Sequence, residues 1–393
     1  MADALALRGA RVLRPTGWEE DCDVQVADGR IAAVGPGVAT GDDTAVDVRG
    51  HMVVPGFFDL HVHGAGGAMF EDGSADAVER ISSALARNGT TALLATLAAL
   101  PPDQLRTAVT TIARAAPRCS GARVAGVHLE GPFLNPACAG AQRAAWMRAP
   151  SVEEFDALQA GSGGLIRLVT VAPELPGAPA FIRALRARGV VIALGHSQAS
   201  EDEVLAAVAA GATHVTHLFN AAAPLHHRAP GLVGTALTDD RLSVELICDG
   251  VHVHRRAVDI ALRCKPPDKV ILVSDGVAAV GMPPGDVELF GGPCVAGDAV
   301  RVRATGQLAG SNATLDRTLR LLHEWFPDRP LERWIDWATV APRRLLGLAG
   351  PGIAPGAPAD MVVLTQELAV ITTICAGRLL EGGAPSPPGQ AGR

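Results

Sequence analysis

The sequence predicts an α/β protein whose body is a (β/α)8 TIM-like barrel, and three observations carry that expectation. Between residues 55 and 345, eight strand-like apolar runs alternate with helix-like runs, as parallel strands joined by crossover helices do. Several of these runs end in a histidine or carboxylate beside a turn, and a barrel presents its reactive groups at the C-terminal ends of its strands. Both ends of the chain instead read as short strands and turns, which predicts one small β domain built from the two termini.

Composition fits that division. A chain of 393 residues accommodates one large domain and a smaller one, and 48% apolar content supplies a core. The net charge is a mild -7 and Lys/Arg clusters are absent from the sequence, which argues against a nucleic-acid partner. Seven dispersed cysteines without a CxxC pair fit a reducing compartment and predict no structural disulfides. Met1 to Arg11 lacks the apolar core of a signal peptide and no run of 18 uncharged apolar residues occurs, so the expectation is a cytoplasmic protein without a membrane partner.

In chain order, Leu5 to Leu13, Asp23 to Val26, Ile31 to Val34 and Thr44 to Val54 read as strands, with Asp28-Gly29 as a hairpin turn. The barrel strands are expected at Gly56 to Leu60, Thr91 to Thr96, Arg123 to Leu129, Leu165 to Val171, Val190 to Leu194, His214 to Leu218, Ser243 to Ile247 and Val270 to Val273. Helices are expected between them, for example at Ala75 to Asn88, Pro102 to Ala115, Ala178 to Arg188, Glu201 to Ala210 and Arg255 to Arg263. Residues 279 to 310 read as an insertion of turns and short strands. Met361 to Leu364 and Ala369 to Cys375 return to the β-rich style of the N-terminus, and the Pro/Gly-rich tail from Gly382 to Arg393 reads as disordered.

The chemistry concentrates at the strand ends. In Asp59-Leu60-His61-Val62-His63-Gly64 the two histidines are two residues apart, so an extended chain points both to one side, toward one metal ion. A hydrogen-bonded histidine pair at a barrel mouth fits that spacing equally well. Glu130, in Gly126-Val127-His128-Leu129-Glu130-Gly131-Pro132-Phe133, is a carboxylate delivered by an apolar strand to a turn; a buried charge there requires a metal, a proton or a salt bridge. His128 faces the same side and is a candidate partner for it. His196 and His217 each follow an apolar run, and with Glu130 they make a His2Glu set that leaves room for water. Asp275, in Val273-Ser274-Asp275-Gly276, ends the eighth strand, where a carboxylate can move a proton to and from a water; an Asx turn before Gly276 is the alternative. The loop Pro224-Leu225-His226-His227-Arg228 offers a guanidinium and imidazoles suited to an anion, or else a solvated charge. His252 can hydrogen-bond a substrate oxygen or lie idle on the surface, and His254 reads as exposed.

The ordered motifs PGFFDLHVHG, GVHLEGPFLN, LGHS, THLFNA, PLHHRAPG, DGVHVH, SDGVAAVGMP and LAGSNATLDRTLR resemble the amidohydrolase superfamily and, within it, the N-acetylglucosamine-6-phosphate deacetylase family. The resemblance spans nearly the whole chain. It implies a metal-dependent barrel of residues 55–345, a small β-sandwich domain from residues 1–54 and 346–381, and a homodimer. It also implies metal ligands at Glu130, His196 and His217, with His61 and His63 available to a second ion bridged by Glu130, so that one or two divalent ions, Zn2+ foremost, are bound per subunit. Asp275 matches the catalytic acid/base, His252 a sugar-binding histidine, and Asn220, Ala221 and Ala141 substrate contacts. Arg228, with His227 beside it, matches a phosphate ligand reaching the neighbouring subunit's site. The implied reaction is deacetylation of N-acetylglucosamine 6-phosphate. Another N-acetyl amino sugar such as N-acetylgalactosamine 6-phosphate, an N-acyl-amino-acid substrate, and a non-catalytic scaffold are the alternatives. Ala222, Gly276 and Gln142 depart from the family's usual methionine, alanine and histidine. Both lysines, Lys265 and Lys269, precede the eighth strand, which disfavours branches that bridge two metals with a carboxylated lysine.

Overall fold

The structure, a computed structural model, describes residues 5–39, 44–348, 350 and 352–381. The tail expected to be disordered, residues 382–393, lies outside the described residues.

Eight parallel strands form the barrel: β1 (Phe57–Val62), β2 (Thr90–Ala98), β3 (Arg123–Glu130), β4 (Ile166–Val171), β5 (Val191–Leu194), β6 (His214–Val215), β7 (Ser243–Leu246) and β8 (Val270–Leu272). Each pairs in parallel with the next, from β1 through to β8. The ring closes just beyond β8, where the Asp275 N–H donates to the His61 carbonyl at 2.9 Å and the His63 N–H to the Gly276 carbonyl at 2.8 Å. All eight strands expected from the apolar runs are present. Every residue of β1 and of β2 is buried, as parallel strands covered on both faces must be.

Between and after the strands lie α1 (Ala75–Ala86), α2 (Pro102–Ala115), α3 (Val152–Gly161), α4 (Ala178–Ala187), α5 (Glu201–Ala210), α6 (Gly231–Thr238), α7 (Arg255–Cys264), α8 (Leu315–Trp325) and α9 (Leu331–Leu345). Their starts follow from local chemistry. The Ser74 hydroxyl accepts from the Ala77 N–H to open α1, and Ser200 with Glu203 forms a reciprocal capping box at α5. No described helix is long and apolar enough to cross a membrane.

The terminal strands make a second, eight-stranded sheet in the order Arg378–Glu381, Val370–Cys375, Met361–Leu364, Met52–Pro55, Leu5–Arg14, Gly17–Ala27 and Arg30–Gly35, with Thr44–Asp47 also paired to Leu5–Arg14. Where a sandwich was expected, the terminal strands are connected as one hydrogen-bonded sheet with its own core, which includes Leu7, Val12, Val24, Ile31, Met361 and Ile374. Thr44 to Val54, read as one strand, is two: the Asp47 carboxylate accepts the Arg49 N–H at 3.1 Å and Gly50 turns left-handed (φ 77°), which ends the first strand. Residues 279–310 hold the expected insertion, a three-stranded antiparallel sheet of Gly285–Leu289, Gly292–Ala296 and Val300–Val302.

The floor of the barrel is pinned by α9. Buried Arg343 donates to the Gly56 carbonyl at 3.3 Å, and its guanidinium lies 5.1 Å from the centre of the Phe58 ring. Phe58 is fully buried. We expect Phe58→Ala to cost about 3–5 kcal/mol by urea unfolding, from lost burial and the cavity left behind; a change below about 1 kcal/mol would mean that the ring is not a packing anchor.

Candidate metal centre and active site

Glu130 is the last residue of β3, and its side chain meets nitrogen donors from two clusters. Its Oε1 lies 2.7 Å from His217 Nε2 and 3.0 Å from His196 Nε2; its Oε2 lies 3.1 Å from His63 Nε2. His61 Nε2 stands 3.4 Å from Glu130 Oε1 and 3.4 Å from Asp275 Oδ1, and His63 Nε2 is 3.6 Å from the same Asp275 oxygen. The chain turns sharply after Glu130. Gly131 has φ 144°, and a Cβ there would sit 2.6 Å from the Ala99 nitrogen, so only glycine fits.

The ligand-bearing strand ends are held in an uncommon conformation. His196 (φ 49°), His217 (φ 28°), Phe219 (φ 81°), Ala221 (φ 47°) and Asp275 (φ 50°) all adopt left-handed backbone, which costs non-glycine residues about 1–3 kcal/mol each. That turn explains why β6 stops at Val215 when the apolar run continues to Leu218: the backbone leaves the sheet to aim His217 inward.

Three of the four imidazoles are fixed through their other nitrogen. His61 Nδ1 donates to Glu245 at 2.9 Å, His63 Nδ1 to Glu71 at 3.0 Å, and His196 Nδ1 to the Cys138 carbonyl at 2.7 Å. Each bond leaves Nε2 facing Glu130, the arrangement of metal-ligating histidines with an outer hydrogen-bond partner. His217 Nδ1 is buried without a partner. Two donor sets result, Glu130 with His196 and His217, and His61 with His63 and Asp275; within each set the donor atoms lie within 4.8 Å of one another. Nitrogen and carboxylate donors at that spacing suit a divalent ion with bonds of about 2.0–2.2 Å.

Electrostatics agree. Burial alone would raise the Glu130 carboxyl, yet the His61 and His196 imidazoles hold it well below the ordinary carboxylate range. Burial opposes protonation of His63, but Glu130 and Glu71 override it and push the ring up to about 10. An ion bound there therefore takes the place of a proton.

A cavity of about 480 Å³ opens over this cluster. His63, Glu130, His196, His217, Asp275 and His252 line it, as do Ala141, Asn220 and Ala221. The His252 Nδ1 donates to Asp249 at 2.7 Å, which leaves the other ring nitrogen for a ligand. Burial works against charge on both members of this pair, but their mutual attraction prevails, raising His252 and lowering Asp249 to about 2. From the insertion, Phe290 lines the cavity and packs edge-on against His63, 5.3 Å between ring centres.

The structure does not bring every sequence candidate to the cavity. His227 and Arg228 are exposed on a loop beyond the rim residue Pro224, with Arg228 Nη1 2.7 Å from His227 Nε2. His128 bonds Thr96 (3.4 Å) and Thr170 (2.8 Å) rather than Glu130. Its ring instead packs edge-on against His61 at 4.8 Å. His254 is exposed and caps α7. Glu71 and Glu245 go unnamed in the sequence, and Gln142 reads there only as a departure from the family's usual histidine. Gln142 donates to Glu130 Oε2 at 2.9 Å and accepts from the Ala99 N–H at 2.8 Å.

The sequence profile of the amidohydrolase family matches residues 52–380, a span that takes in the barrel and every donor of both sets. The chain belongs to the amidohydrolase family. Within it, membership of the N-acetylglucosamine-6-phosphate deacetylase family follows from relatives of nearly full length. The N-acetylglucosamine-6-phosphate deacetylase of Lysinibacillus sphaericus is 33% identical over 96% of this chain and 97% of its own. The N-acetylgalactosamine-6-phosphate deacetylase of Escherichia coli O157:H7 is 35% identical over 93% of this chain and 96% of its own. Among solved structures, a mutant N-acetyl-D-glucosamine-6-phosphate deacetylase from Mycobacterium smegmatis in complex with N-acetyl-D-glucosamine-6-phosphate superimposes with a TM-score of 0.90 at 36% identity, covering 96% of this chain and 99% of that one. Members of the amidohydrolase family depend on metal.

Proposed function

We propose that this chain hydrolyses the acetamide of N-acetylglucosamine 6-phosphate to glucosamine 6-phosphate and acetate, using a divalent ion held by Glu130, His196 and His217 and a second held by His61 and His63. The observation that carries this reading is the placement of Glu130, between two sets of Nε2 atoms and under a cavity that also contains Asp275 and His252. When bound, the ion lowers the pKa of water to about 7 and polarises the amide carbonyl. Asp275 takes the proton that the attacking water loses and returns it to the departing nitrogen. His252, steadied by Asp249, donates from its free ring nitrogen to a substrate oxygen. Zn2+ is the favoured ion, because an imidazole-rich set with carboxylate suits it. A cytoplasmic homodimer is the favoured form, and in it Arg228 and His227 reach the partner's cavity, consistent with their exposure outside their own.

The E. coli relative named for the galactosamine isomer favours a second substrate reading. Amine release from both N-acetyl sugar 6-phosphates, and from unphosphorylated N-acetylglucosamine, separates them. We expect the glucosamine isomer to be preferred and the unphosphorylated sugar to be poor. Arg228→Ala should cost the phosphorylated sugar more than about tenfold in kcat/KM while changing the unphosphorylated one little, since a charge-assisted bond to phosphate contributes about 1.5–3 kcal/mol. Equal losses for both would remove the phosphate role. Activity on none of the three would overturn the substrate assignment.

A further inference from the structure

Glu245 lies in the middle of β7, fully buried, with no place in the cavity and no contact available to a substrate. Three N–H groups converge on its two carboxylate oxygens. Oε2 accepts from His61 Nδ1 at 2.9 Å and from the His217 backbone N–H at 3.0 Å; Oε1 accepts from His214 Nε2 at 3.1 Å. Behind it, His214 Nδ1 lies 2.8 Å from the Ser243 hydroxyl, which also reaches the Thr213 carbonyl at 3.1 Å; when its one proton goes to the ring rather than to that carbonyl, the neutral His214 keeps an Nε2–H for Glu245. His61 and His217 belong to different halves of the metal centre. One oxygen atom therefore fixes a ring in the first half and a left-handed backbone in the second.

We propose that Glu245 is a positioning residue for both halves of the metal centre, setting the ring tautomer of His61 and the backbone turn that aims His217. This rests on the metal centre proposed above. A buried ionised carboxylate is costly unless several donors meet it, and three do. In the neutral ring the His61 Nδ1–H···Glu245 bond leaves Nε2 bare, which is the form that can bind an ion. Glu71 does the same for His63 alone, bonding its Nδ1 at 3.0 Å and no other ring. The two carboxylates thus predict different outcomes when each is replaced by its amide.

Glutamine keeps the volume of Glu245 but offers one acceptor oxygen where three N–H groups converge, and turns an NH2 group toward at least one of them. Competitive chelator titration of the purified protein with Zn2+ resolves the two binding steps without reference to turnover. For Glu245→Gln both steps should weaken about 10–100-fold, the usual cost of losing a partner behind a metal-ligating histidine. Glu71→Gln should weaken one step. Unchanged binding in Glu245→Gln, or loss confined to one step, would overturn the role. An independent reading comes from the wild-type chain labelled with 15N-histidine and loaded with Zn2+. His61 should carry a slowly exchanging proton on Nδ1 and none on Nε2, and a proton on Nε2 would overturn the inference even if the variant failed to fold. Wild-type protein that takes up no metal would instead count against the metal centre itself.

Discussion

Asp275→Asn is expected to lower deacetylation by about a thousandfold or more, while the ion held by Glu130, His196 and His217 stays bound; proton transfer by a positioned side chain contributes about 10²–10⁴-fold. Asparagine preserves the shape of the aspartate but cannot accept the proton that water must lose. The surroundings of Asp275 would survive the change, because they depend on its backbone. Its N–H donates to the His61 carbonyl at 2.9 Å, one of the bonds that close the barrel, and its carbonyl accepts the Ser311 N–H at 2.8 Å. The side chain, 13% exposed, is left free to face the cavity. Because Oδ1 lies 3.4 Å from His61 Nε2 and 3.6 Å from His63 Nε2, the amide can also weaken an ion on that side. Metal analysis on the same sample separates the two effects. Near-normal turnover with metal bound would remove Asp275 from the chemistry. A thousandfold loss with the ion at Glu130 retained, about 4 kcal/mol of transition-state stabilisation, is the result that fits a proton carrier.

Much of this site is legible in the sequence because strand ends announce themselves. An apolar run that stops at a polar residue beside glycine places that residue at the barrel mouth, and Glu130, His61, His63 and Asp275 all fall there. The outer partners are not legible. Glu245 is one carboxylate inside Ser243-Val244-Glu245-Leu246, where alternation alone cannot tell an inward charge from an irregular strand. Glu71 sits in a short loop turn after β1 and reaches His63 only because that turn folds back over the barrel rim. Which nitrogen of a histidine is engaged depends on neighbours far along the chain; His61 and Glu245 are 184 residues apart. The cross-barrel registers that bring them together are a property of the closed ring. The break within Thr44 to Val54 was written in the sequence, in Asp47, Arg49 and Gly50, but the apolar residues on either side mask it. Gln142 stands between these cases. It reads as a departure from the family pattern, and the structure shows it bonded to Glu130 Oε2, on the side facing His63.

Glu130→Gln is expected to empty both halves of the centre. Losing the partner behind a ligand weakens metal binding about 10–100-fold, so loss of the ligand that both halves share should exceed about 100-fold, and turnover should fall with it. The carboxylate does two things that an amide cannot. Its oxygens reach both clusters, with His217, His196 and His61 at 2.7, 3.0 and 3.4 Å from Oε1 and His63 at 3.1 Å from Oε2, whereas an amide turns its NH2 group toward one side. Its negative charge offsets the burial of four imidazoles and of the cations that replace their protons. The consequence reaches stability as well as catalysis. An ion that binds the folded chain at a thousand times its Kd stabilises it by about 4 kcal/mol, so the melting temperature of the wild-type protein should rise with added Zn2+ and fall on chelation. The variant should melt at one temperature regardless of metal. Full metal content in Glu130→Gln, or a melting temperature that still climbs with Zn2+, would show that the shared carboxylate is not what holds the ions, and the two halves of the centre would have to be read as independent sites.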